Sequence, residues 1–250
     1  MGRRFFSKYG LIIPLLLLSF TLYTPGKVKV YLIGDSTMAN KLIRYYPETG
    51  WGMPFSCFFD STVVVDNRAQ NGRSTRTFMQ EGRWQPVVDA LQPGDYVLIQ
   101  FGHNDEIQTK KSATTEDQFR ANLTKYVNDT KSRKAYPVLI TPVARRNFDT
   151  TGVLVPTHEA YSAIVRSVAR DLNVPLIDLD KKSQALLTKF GVENSKLLYN
   201  HLEAGEHPNY PSGKVDDTHF SELGARKMAQ LVLEDIRALN LGLAQKIIKR

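Results

Sequence analysis

Residues Val28 to Met38 read VKVYLIGDSTM. Val28 to Ile33 is a run of β-branched and aliphatic residues with the length of a buried strand. Gly34-Asp35-Ser36 then makes a tight turn that leaves a serine hydroxyl at the strand's carboxyl end. In open α/β sheets that end is where ligands and chemistry collect. A serine so placed is either a nucleophile or a partner for the backbone of its own turn, and this stretch alone does not choose between them.

Further apolar runs follow at Thr62–Asp66, Asp95–Phe101, Pro137–Thr141 and Val174–Leu179. The Asp95–Phe101 run is nearly continuous, which predicts a strand buried on both faces. Helical patterns lie between and after these runs. They cover Arg76–Leu91 (one or two short helices, broken at Gly82 and Pro86), Thr115–Arg133, His158–Asp171 and about Lys181–Phe190. A last helix begins near Thr218–Ser221 and reaches about Leu239, with Ala225, Met228, Ala229, Val232 and Ile236 at core spacing. This alternation, without repeat or low-complexity linker, predicts one domain over residues 25–250. It is a three-layer α/β/α sandwich built on a five-stranded parallel sheet. Thr37–Asp60, rich in Gly, Pro and aromatics, is expected to be irregular and to run over the mouth of any site.

The chain has 250 residues, ordinary apolar and charged content, and a formal net charge of +8. Arg3, Arg4 and Lys8 lie in residues 1–24, which hold no acid, so the remainder carries +5. The positive charge is spread without a long Lys/Arg run, which argues against nucleic acid as a partner. It is compatible with an acidic small substrate or polysaccharide, or with a merely solubilising surface. The basic start and the apolar run Leu11–Phe20 fit a signal peptide, with an uncleaved N-terminal anchor as the alternative. Export to the periplasm or the exterior is the expectation, with contact to a membrane only through that segment. Cys57, the single cysteine, excludes an internal disulfide framework and reads as a small core residue between Phe55 and Phe58.

Asp216-Asp217-Thr218-His219 supplies what a serine nucleophile needs. An Asp three residues before a His can fold its carboxylate onto Nδ1–H, leaving Nε2 to accept a serine proton. The same residues serve equally well as a helix cap and a surface histidine. At the ends of the second and third strands, Gly72 offers an unobstructed backbone N–H and Asn104 a side-chain amide. With the Ser36 N–H they make three donors from adjacent strand ends, the requirement of a tetrahedral oxyanion.

Four blocks, GDS at Gly34–Ser36, Gly72, GHND at Gly102–Asp105 and DxxH at Asp216–His219, resemble those of the SGNH (GDSL-type) hydrolases. The resemblance spans Val28 to about Leu239. NRAQNGRSTRTF (Asn67–Phe78) and DDTHFSELGAR (Asp216–Arg226) are similar to the rhamnogalacturonan acetylesterase branch, whose members deacetylate pectic polysaccharide. The resemblance implies a flavodoxin-like sheet, with Ser36 as nucleophile, His219 as base and Asp216 as its orienter. It also implies an oxyanion hole of Ser36, Gly72 and Asn104, and no cofactor. The expected partner is an acetylated acidic polysaccharide or oligosaccharide, bound by a monomer. Asp35, Arg73 and His207 are candidate substrate contacts. Arg73, Arg76, Arg83, Arg145 and Arg146 are either carboxylate readers or ordinary surface arginines.

His201, Glu203, Glu206 and His207 fit no standard zinc spacing, so no metal is expected. They suggest a wall of the cleft. Gly213-Lys214 lacks a P-loop's upstream glycine, and no G-x-S-x-G surrounds Ser36. An esterase, lipase or thioesterase for longer acyl chains and a non-catalytic polysaccharide-binding protein are the alternatives.

Overall fold

The computed structural model describes residues 26–248. The export segment expected at residues 1–24 lies outside them. Five parallel strands, β1 (Val28–Gly34), β2 (Val63–Asn67), β3 (Tyr96–Gln100), β4 (Tyr136–Ile140) and β5 (Leu176–Ile177), pair in the order β2-β1-β3-β4-β5. Val30 sits between Val65 of β2 and Tyr96 of β3, so β1 is central. The chain leaves β1 to one side for β2 and crosses back to the other for β3. The crevice at that topological switch lies directly beyond Ser36.

Side chains of a strand alternate between faces, and β1 divides its own between two cores. Val30 and Leu32 pack with α1 (Gly52–Phe55), α6 (Leu179–Asn194) and α7 (Glu222–Ala238). Tyr31 and Ile33 pack with α2 (Thr75–Gln80), α3 (Gln85–Ala90), α4 (Glu116–Ser132) and α5 (Glu159–Asp171). Each fully buried aliphatic side chain contributes roughly 1.5–3 kcal/mol, and all of β3 is buried. The expected α/β/α sandwich is therefore the observed one.

Several local expectations need correction. β5 is two residues long rather than Val174–Leu179: Pro175 has no N–H to pair, and Asp178 already caps α6. α6 runs regularly until Gly191, whose φ of +71° interrupts it. Pro86 does not break a helix but occupies the first turn of α3, where its missing N–H costs nothing. Cys57 is exposed, not a core residue. The turn at Gly52–Phe58 places Phe55 and Phe59 on the inner face, edge-to-face at 5.1 Å, and turns Cys57 outward. α7 begins at Glu222 with Ser221 as its cap, so Asp216–His219 forms the loop before the helix and caps nothing.

Candidate active site

The serine turn is built by close approach and by a buried polar chain. A Cβ on Gly34 would meet the Gln100 carbonyl oxygen at 2.5 Å, so the β1 exit requires glycine against β3. Asp35 Oδ1 accepts from the Thr37 N–H (2.9 Å) and from Thr37 Oγ1 (2.8 Å). Gln100 Nε2 donates to Thr37 Oγ1 at 2.7 Å, and the Trp51 indole donates to Gln100 Oε1 at 2.5 Å. All four of these residues are buried. They fix the turn from below and leave Ser36 Oγ facing His219.

That histidine arrives from 183 residues away, and its Nε2 lies 2.9 Å from Ser36 Oγ. Its Nδ1 is 2.9 Å from Asp216 Oδ2. The Asp216 Oδ1 accepts the backbone N–H groups of Thr218 and His219, each at 2.9 Å, an Asx turn that fixes the carboxylate. Burial pushes the Asp216 carboxyl upward, but its bond and charge interaction with His219 and those two N–H groups hold it well below the usual carboxylate range. The loop is tied at its C-terminal end by Asn200 N–H to the His219 carbonyl (2.8 Å) and Thr49 N–H to the Phe220 carbonyl (2.9 Å). An ionised carboxylate on Nδ1–H leaves Nε2 as acceptor, so this line of groups can move a proton from the hydroxyl to the ring.

Gly72 turns at φ +76°, a backbone conformation that favours glycine. Among the described residues, neither its N–H nor that of Ser36 finds an intramolecular acceptor. Asn104 is buried, donates through Nδ2 to the Arg73 carbonyl (3.1 Å), and lines the same cleft of about 380 Å³ as Ser36, Gly72, Asp216 and His219. The structure thus brings together all five residues that the sequence proposed for serine chemistry.

It does not bring the three candidate substrate contacts there. Asp35 is fully buried beneath the turn, where burial raises its carboxyl pKa. Arg73 points away to Glu81 (2.9 Å) and the Asn71 carbonyl (2.8 Å). His207 lines a separate groove with Tyr46, Met53 and Cys57. The other arginines are also engaged. Arg83 shares Glu81, Arg76 reaches the Lys111 carbonyl, Arg146 pairs with Asp217, and Arg145, which does line the cleft, pairs with Glu106 at 3.1 Å. Among the described residues no group of three or more His, Cys, Asp or Glu is arranged to hold a metal. His103, which also lines the cleft, packs against the His158 ring, and burial drives its pKa well down. Asp105, the end of the GHND block, accepts from Thr75 and Thr114, and burial lifts it to about 7 despite them.

The Thr37–Asp60 stretch does run over the mouth of the site, giving Tyr45 and Glu48 to the cleft wall with Lys41 beneath it, but the sequence singled out none of these three, nor Lys110 across the cleft. Lys41, Glu48 and Lys110 lie in irregular segments and Tyr45 ends a single 3-10 turn (Ile43–Tyr45), too short for periodicity to carry orientation, so only their charge or ring could have flagged them.

The sequence profile of the GDSL-like Lipase/Acylhydrolase family matches residues 32–227. The chain belongs to this family. It is accordingly a carboxylic ester hydrolase with the SGNH fold. Rhamnogalacturonan acetylesterase RhgT of Bacillus subtilis (strain 168) is 40% identical over 223 residues, 89% of this chain and 95% of that protein. The probable rhamnogalacturonan acetylesterase YesY of the same organism is 36% identical over 226 residues, 88% of this chain and 97% of its own length. The crystal structure of protein YxiM from Bacillus subtilis superposes with a TM-score of 0.74 at 26% identity. That match covers 86% of this chain and 58% of that one.

Proposed function

We propose that this hydrolase is a carbohydrate acetylesterase that removes acetyl groups from acetylated rhamnogalacturonan. His219 Nε2 takes the Ser36 proton as Ser36 Oγ attacks the acetyl carbonyl, and Asp216 holds the imidazolium that results. The N–H groups of Ser36 and Gly72 and the Asn104 amide receive the oxyanion. Collapse breaks the C–O bond to the sugar, whose oxygen takes the proton from His219 and leaves as a hydroxyl. Water, activated by the same ring, then hydrolyses the acetyl-enzyme. These steps call for no cofactor.

The observation that carries the reading is the continuous line Ser36 Oγ–His219–Asp216, 2.9 Å at each link, opening on a cleft with two N–H groups unclaimed among the described residues. The substrate is inferred from the two relatives named for rhamnogalacturonan. The basic Lys110 at the cleft wall, without a carboxylate partner within 4 Å among the described residues, suits an acidic polymer. We read the enzyme as exported, on the basic and apolar character of residues 1–24.

Acetate release from acetylated rhamnogalacturonan, set against acetylated xylan and an octanoyl ester, tests the substrate. Faster turnover of the octanoyl ester would favour a longer-chain esterase. The Ser36→Ala variant should fold normally and lose about 10⁴–10⁶ in kcat. Parental turnover by that variant would refute the mechanism, and inertness of the parent would favour a binding protein.

A further inference from the structure

Five residues beyond Ser36, Lys41 turns inward, and none of its side chain is exposed. An ammonium has three N–H donors, and here each has a partner. Its Nζ lies 2.6 Å from the Ser36 carbonyl oxygen, 3.0 Å from Asn71 Oδ1 and 2.6 Å from Glu48 Oε1. The partners belong to three separate segments: the β1 exit, the loop after β2, and the approach to α1. A buried ammonium is costly unless fully paired, and an apolar side chain would fill the volume without that cost. The charge therefore calls for a reason other than packing. Two of the three segments carry the unclaimed N–H groups at the cleft, those of Ser36 and of Gly72, the neighbour of Asn71.

We propose that Lys41 is a positioning residue that clamps the Ser36 turn to the Asn71-Gly72 turn, keeping their two N–H groups convergent on the acyl oxygen. This rests on the oxyanion role proposed above for those N–H groups. The clamp needs the charged form. Burial lowers the Lys41 pKa, Glu48 opposes that most strongly, and the Asp35 and Asp216 carboxylates add smaller attractions.

Steady-state hydrolysis of 4-nitrophenyl acetate by the full chain tests the clamp. Lys41→Met should lower kcat about 10²-fold, the cost of misplacing reactive geometry by about an ångström, with KM changed by no more than about threefold. The double variant Lys41→Met/Glu48→Met leaves no unpaired charge in the pocket. Its Tm should recover while kcat stays low, whereas a lysine that only neutralises Glu48 would let kcat return. Glu48→Gln does not depend on a Lys41 variant folding. Without the Glu48 charge the Lys41 pKa falls further. Protonated lysine persists below its pKa and is lost as pH rises through it, so the alkaline loss of kcat should begin at lower pH than in the parent.

The proposal is overturned by a Lys41→Met kcat within about twofold of the parent, by a double variant with parental kcat, or by a Glu48→Gln pH profile that overlays the parent's. A parent whose activity survives Ser36→Ala, or that hydrolyses no acetyl ester, removes the underlying mechanism and this inference with it. Loss of activity in Ser36→Ala alongside indifferent Lys41 variants removes the clamp alone.

Discussion

Asp216 and Asp217 are consecutive carboxylates that each hold a histidine, and they end on opposite kinds of group. Asp216 holds His219 at 2.9 Å, and the far side of that ring meets the Ser36 hydroxyl at the cleft. Asp217 holds His201 at 2.8 Å and also Arg146 at 2.9 Å. Arg146, only 9% exposed along its side chain, reaches on to Ser195 Oγ and the Val192 carbonyl. In the first group the third member, the Ser36 hydroxyl, can give up a proton. In the second the carboxylate's charge is neutralised by a cation fixed in the fold, and the histidine is a tie between loops. Neighbouring side chains on non-helical backbone leave in different directions, so one residue's shift separates chemistry from architecture.

The contrast can be broken most sharply at the ring. His219→Ala should cost about 10⁴–10⁶ in kcat on an acetyl ester, measured with the fold checked by circular dichroism. Asp216→Asn should cost about 10³–10⁴, because an amide neither fixes the tautomer nor stabilises the imidazolium. Asp217→Asn should change kcat by less than about tenfold. It should destabilise by about 1 kcal/mol, some 2–4 °C in Tm, since Arg146 loses its countercharge but Asp217 itself is partly solvated. Equal kinetic losses for the two Asp→Asn variants would erase the distinction.

Acid sharpens it further. The Asp216 pKa is depressed in the fold, so its contribution to stability is present above the unfolded carboxylate pKa of about 3.9 and is lost as pH falls below it. The Tm advantage of the parent over Asp216→Asn should therefore shrink as pH falls below about 4.

Much of this was legible before any coordinates. The central strand, the five-strand alternation and the serine at the β1 exit follow from runs of apolar residues read at the right period. The Asp216–His219 pairing was legible because an i, i+3 contact is local. The same locality limits the reading: sequence neighbours make Pro86 a helix break and Cys57 a core residue, whereas one sits in a helix's first turn and the other faces solvent. Nearness in sequence to the motifs suggests Asp35, Arg73 and His207 for the cleft, and each points elsewhere.

By itself the sequence determined the layered α/β architecture and the identity of the groups able to do acyl-transfer chemistry, because hydrophobic period and residue type are written along the chain. Only the tertiary structure decided that Ser36 and His219, 183 residues apart, lie 2.9 Å from one another, and that Lys41 is buried beneath them. Such contacts are not encoded by any one segment. They are the sum of where β1, β2 and the loop before α7 come to rest when both faces of the sheet are packed.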